Sequence, residues 1–115
     1  MIIDSHFHTN VYLEYENTLE KALQIAADKK ILLISNSVHE KSYYQTLNIA
    51  RLSANVIPCF GIHPMVAHEY SDHLSSINSL FSEAVAFGEI GLDHLYVKDK
   101  SQYPSQYTIL EHFFK

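Results

Sequence analysis

Short apolar runs alternate with longer stretches in which apolar residues recur every three or four positions. The runs are Met1–Asp4, Ile31–Ser35, Val56–Phe60 and Ala84–Ile90. Each is of strand length, and Ile31–Ser35 is continuous and rich in β-favouring residues, as a strand covered on both faces requires. Pro58 has no N–H to donate and predicts an edge or a bulge in the third run, while Gly88 weakens the fourth. Between the first two runs, Leu19, Leu23 and Ala26 fall on one helical face, with Asn17 as cap, Glu20 placed to reach back to it, and Lys29 and Lys30 in the last turn, where cations suit the helix dipole. Ser42 with Gln45 predicts a second capping box, opening a helix through Leu47, Ala50 and Leu52. Asp72 is placed to cap a helix carrying Leu74, Ile77 and Phe81. Pro104 and Ser105 suit the start of a last helix with Ile109, Leu110, Phe113 and Phe114. Four strand–helix units in succession predict an α/β fold with a parallel sheet, either open or a segment of a (β/α) barrel. In both, ligands collect at the C-terminal ends of the strands.

Ionisable groups stand at those ends. His6 and His8 follow the first run, Ser35, Asn36 and His39 the second, His63 the third, and Glu89, Asp93 and His94 the fourth. Strand alternation predicts that Asp4, His6 and His8 share a face, and two imidazoles so placed can bind one divalent metal. The pair alone is weak evidence: with 8 His in 115 residues, chance supplies about 0.5 His-x-His pairs. Its context strengthens it. Glu89 ends an apolar strand, where a carboxylate needs a cation or hydrogen-bond donors. A carboxylate there can also bridge two metals. His63 is expected to contact substrate or to lie behind the metal ligands, or else to bond nearby backbone. Asp4 is expected to orient a histidine rather than to bind metal. Asp93 is expected to orient a ligand or to cap the loop that follows it. His39, His68, His73, His94 and His112 are read as surface or loop residues, Cys59 as a small buried hydrophobe, and Tyr43–Tyr44 as helix packing.

Composition narrows the function. A net charge of -5 excludes a broad basic groove that would hold nucleic acid through phosphates alone, so a polyanionic substrate would need metal ions or a local patch. The 47% apolar and 18% charged residues describe an ordinary globular chain. One cysteine excludes an intrachain disulfide and fits a reducing compartment. No segment reaches the apolar length of a membrane span, and no secretory leader stands at the N-terminus; the expectation is a soluble cytoplasmic protein. Gly61, Gly88 and Gly91 fit neither a P-loop nor a dinucleotide fingerprint.

The segments Ile2–Asn10, Gly61-Ile62-His63-Pro64 and Gly88-Glu89-Ile90-Gly91-Leu92-Asp93 resemble, in order and rough spacing, the three N-terminal motifs of the TatD-related metal-dependent hydrolases. The third is the most specific, and Gln102–Phe114 resembles the helix that follows it in that family. The resemblance implies a TIM barrel of the amidohydrolase kind with a divalent-metal site at its mouth (Mg, Mn or Zn; two ions in the full site). It also implies deoxyribonuclease or related phosphoesterase activity, with DNA ends or another phosphodiester as substrate. His6 and His8 would bind the first metal and Glu89 would bridge to the second; His63 and Asp93 lie in matched motifs with less defined roles, Asp93 being the one possible catalytic group. Thr9 stands where the family usually has an apolar residue. A full barrel takes about 250 residues, and the family's two later histidines and closing aspartate have no counterpart in these 115 residues. Residues 1–115 are therefore expected to form a single domain, the N-terminal part of a TatD-like (β/α) barrel. The competing expectation is a non-catalytic truncated remnant or split half that pairs with itself or with a C-terminal half. A further alternative is a histidinol-phosphatase-like phosphoesterase, which also opens on a His-x-His strand.

Overall fold

Three of the four apolar runs become strands: β1 (Ile2–Phe7), β2 (Ile31–Asn36) and β3 (Val56–Cys59). They form a parallel sheet in the order β1-β2-β3 in a computed structural model that describes residues 1–115. The helices are α1 (Thr18–Asp28), α2 (Glu40–Ala50), α3 (Asn78–Glu83) and α4 (Tyr103–Phe113), with short 3-10 turns at Thr9–Glu14, Pro64–Glu69, Leu74–Ile77 and Lys100–Gln102. This is the (β/α) succession of a partial TIM barrel, open on one side.

Register divides the sheet into two faces. Leu33 pairs with Val56, and both pack with Ala26 of α1 and Ile49 of α2. A second cluster, with Tyr43, Phe60, Leu80, Ile109 and Phe113 at its centre, lies under α2, α3 and α4. The opposite face carries Ile3, paired with Leu32, and Ile34, paired with Ile57. No helix covers it, and Ile3 remains 55% exposed. The radius of gyration, 15.1 Å, exceeds the roughly 13 Å of a closed domain of this length, as an open layer should.

The sheet departs from simple alternation in β1. Asp4 pairs with Leu33 and Phe7 with Ser35, so β1 spends three residues where β2 spends two. This bulge reverses the strand's facing. Before it, Asp4 lies on the helix-facing side with Leu33, in a cleft shared with Phe7, Ala22 and Ile25. The expected common face of Asp4, His6 and His8 is thus corrected: the two histidines lie on the other side, beyond the bulge.

The fourth run forms no ladder. Phe87 makes one parallel bridge to Phe60, with Phe60 N–H donating to the Ala86 carbonyl (3.0 Å) and Gly88 N–H to the Phe60 carbonyl (2.8 Å). The chain then leaves β3 for the end of β2: Ser37 N–H donates to the Gly88 carbonyl (2.9 Å) and Glu89 N–H to the Ser37 carbonyl (2.8 Å). Its hydrogen bonds are split between two neighbours, so no strand propagates. The Gly88–Glu89 peptide is cis. A Cβ at Gly61 would collide with the backbone of Gly88 and Glu89, and one at Gly88 with the Asn36 side chain. Both glycines are required by close approach.

The helix starts also differ from expectation. Asn17 precedes α1 in the left-handed region (φ 58°) and makes no side-chain cap. The second capping box lies three residues earlier than expected: His39 is the cap, its Nδ1 accepting from Ser42 N–H (3.0 Å) while the Ser42 hydroxyl accepts from His39 N–H (3.1 Å). His73, not Asp72, precedes the turn that leads into α3, again without a side-chain cap. Pro104 sits in the first turn of α4 as expected, Pro58 lies on the outer strand of the ladder, Cys59 is buried, and Tyr43 is core while Tyr44 is half exposed.

Beyond Glu89 the loop is held through Asp93. Its carboxylate accepts from the N–H groups of Leu95 (2.8 Å) and Tyr96 (2.9 Å), and the buried Gln106 side chain of α4 brackets its backbone, accepting from Asp93 N–H and donating to its carbonyl (both 2.9 Å). The Tyr96 amide, and after it the Leu95 amide and the charges of His63 and His94, hold the Asp93 carboxyl below its ordinary pKa against the opposing effect of burial.

Two outcomes follow. Gly61→Ala is expected to destabilise the fold by about 1–3 kcal/mol through overpacking, read as a lowered denaturation midpoint; an unchanged midpoint would contradict the contact. A carboxyl whose folded pKa is depressed stabilises above its unfolded pKa and loses that contribution as pH falls through the folded value. The Leu95 and Tyr96 amide resonances should therefore shift together below the ordinary aspartate range, and the step should vanish in Asp93→Asn.

Candidate metal centre

Beyond the bulge, β1 delivers His6 and His8 to the open face at the C-terminal end of the sheet, and the crossover of the Gly88–Glu89 segment brings Glu89 over the same point. Thr9, fully buried, pins the chain just after His8: its N–H and hydroxyl both meet the Ser35 hydroxyl, at 3.1 and 2.8 Å. Thr9 thus ties the end of β1 to β2.

Three ligand-type atoms converge. His6 Nε2 lies 3.2 Å from His8 Nε2, and Glu89 Oε2 lies 3.6 Å from the first and 3.4 Å from the second. Ligand atoms around a tetrahedral ion with bonds of about 2.0–2.1 Å stand about 3.3–3.4 Å apart, so this triangle fits one face of such a site. Octahedral sites with bonds near 2.1 Å bring neighbouring ligands to about 3.0 Å, a somewhat tighter triangle. His8 is also pre-set for ligation. Its Nδ1 faces the Asn36 carbonyl at 3.0 Å; a carbonyl only accepts, so Nδ1 carries the proton and Nε2 presents its lone pair. His6 is the more open of the two rings, its side chain 57% exposed against 30% for His8.

His63 joins the group from the end of β3. Its Nε2 faces the other Glu89 oxygen, Oε1, at 3.5 Å, and its Nδ1 accepts from Met65 N–H at 3.1 Å. Beside it, Val38, Met65 and Val66 complete a cleft of about 260 Å³ with His63 and Glu89. The fold thus gathers His6, His8, Glu89 and His63. It leaves Asp4 behind the sheet, where its carboxylate accepts from His6 N–H (3.2 Å) and touches neither ring nitrogen, and it commits the Asp93 carboxylate to the loop. His94 stacks on Tyr103 with ring centres 3.7 Å apart, away from the triangle.

Two supporting groups escaped the sequence reading. The Asn36 carbonyl that fixes His8 is backbone and leaves no trace in residue identity. Gln106 did leave one: it shares the 3-and-7 spacing of Ile109 and Phe113, a polar residue on the buried face of α4.

Residues 3–115 match the family described as TatD related DNase. The "Putative deoxyribonuclease tatdn3-B" of Xenopus laevis is 24% identical over 106 residues, covering 81% of this chain and 41% of that protein. The chain therefore spans about two-fifths of the length of that relative. The family match includes Gly88–Asp93, the most specific of the three motifs. With the histidine pair, the glutamate and the parallel (β/α) order all in place, the chain belongs to the TatD-related DNase family of hydrolases.

Proposed function

We propose that residues 1–115 form the N-terminal part of a TatD-like barrel and carry the first half of a divalent-metal site for phosphodiester hydrolysis, with DNA as substrate. The observation that carries this reading is the triangle of His6 Nε2, His8 Nε2 and Glu89 Oε2. A divalent ion held there supplies charge neutralisation for the phosphate and lowers the pKa of an attacking water. His8 enters with its lone pair already turned inward, His6 closes the solvent side, and Glu89 brings the negative charge that a dication needs. The cleft lined by Val38, Met65 and Val66 offers an apolar wall to the part of the substrate next to the phosphate. On a chain of net charge -5, an ion at this point is also what draws in a polyanion. The cytoplasmic setting expected from the lone cysteine accompanies this reading.

A second reading concerns assembly. The uncovered face with Ile3, Leu32, Ile34 and Ile57 is apolar, and the exposed side of β1 leaves backbone donors and acceptors unpaired. We infer that this face is closed by further barrel strands, from a second copy of the chain or from a complementary C-terminal half. Turnover belongs to that closed form, because groups that act as one unit lose most of their rate when one member is missing.

Calorimetric titration with manganese and zinc should show binding to the wild type and none to His6→Ala/His8→Ala; equal affinity in both would refute the centre. Light scattering after size exclusion should give about twice 13.2 kDa for the chain alone, or a heterodimer when a C-terminal half is supplied. A stable monomer in both cases would count against the assembly.

A further inference from the structure

The two ends of the His63 ring are not equivalent. Nδ1 lies 3.1 Å from Met65 N–H, and a backbone amide can only donate. Nδ1 must therefore hold its lone pair there, which puts the proton of the neutral ring on Nε2. That N–H faces Glu89 Oε1 at 3.5 Å, while Oε2 of the same carboxylate faces His6 and His8. His8 is set the opposite way, with Nδ1 protonated against the Asn36 carbonyl and Nε2 bare. Two histidines that resemble each other in sequence are thus fixed by backbone as opposite tautomers, one an acceptor toward the metal position and the other a donor toward the carboxylate.

We propose that His63 is a positioning residue: through its Nε2–H it holds Oε1 of Glu89, so that Oε2 stays turned toward His6 and His8. The inference rests on the metal centre proposed above. His63 is suited to the task. Its side chain is only 21% exposed, and Pro64 and Val66, whose N–H donates to the His63 carbonyl (3.0 Å), begin the turn that fixes its backbone. His63 N–H donates to the Val38 carbonyl at 2.8 Å, which ties the ring to the end of β2. The 3.5 Å separation is longer than a full hydrogen bond; contacts of this kind commonly tighten when the site is engaged. Groups that orient a metal ligand from behind are worth about 10–100-fold in metal affinity.

The test has two arms. In the metal-free wild type, nitrogen-detected NMR of the histidine rings should show His63 as the Nε2–H tautomer and His8 as the Nδ1–H tautomer, and the His63 Nε2–H signal should move in Glu89→Gln. An Nδ1–H tautomer at His63, or a signal indifferent to Glu89→Gln, overturns the proposal, and neither result depends on metal. In the second arm, manganese affinity is measured for wild type, His63→Ala and His63→Gln, with folding checked by circular dichroism. His63→Ala should bind about 10–100-fold more weakly, and His63→Gln, which keeps an N–H donor, should recover most of that loss. An unchanged alanine variant, or a glutamine variant as weak as the alanine one, overturns it. A wild type that binds no manganese would instead refute the metal centre, and the NMR arm would still decide the role of His63.

Discussion

Gly61 and the Gly88–Glu89 peptide lie so close that no Cβ fits between them, and the placing of Glu89 depends on this contact. The carboxylate sits where it does because its own backbone N–H is bonded to the Ser37 carbonyl while the preceding peptide rests on Gly61. A side chain at position 61 would push the segment off both neighbours at once. The same crowding explains why the last apolar run is not a strand. A segment that gives one pair of hydrogen bonds to β3 and the next to β2 cannot extend along either. The molecule gives up a ladder to set one carboxylate above two imidazoles.

Around that point the side chains are oriented mainly by backbone. The Asn36 carbonyl sets His8, the Met65 amide sets His63, and the paired amides of Leu95 and Tyr96 absorb Asp93. Main-chain groups have fewer rotations than side chains, so a site braced this way keeps its geometry while one wall remains open. It also separates residues that sequence alone treats as equals: one carboxylate faces the imidazoles and the other fastens a loop, one imidazole is an acceptor and the next a donor.

The sequence made the strand–helix order, three of the four strands, the buried Cys59 and the residues at the strand ends legible, because hydrophobic period and turn chemistry are local. His6, His8 and Glu89 were legible together only through their motifs, since nothing local brings position 89 to position 8. Three features were not legible. The facing of His6 and His8 relative to Asp4 depends on a bulge, which is a property of two paired strands rather than of one. The cap at His39 was masked by a serine and a glutamine that imitate the usual signal three residues later. The tautomers depend on carbonyls and amides that every residue carries alike.

The bulge in β1 has a consequence for how such a strand can change over time. If the same residues paired without the bulge, strict alternation from Ile3 would turn His6 and His8 toward the helices and Phe7 toward the open side. The strand therefore carries two rulers set half a step apart, one marking the packing of its first residues and the other the chemistry of its last. Variation in the hydrophobic residues before Ser5 is uncoupled from the aim of the histidines after it. A single deletion at Ser5 would bring the two rulers into phase and leave both Asp4 and the histidines on the sides they occupy now. Such a strand tolerates a change of length at the one place where a regular strand would lose its function.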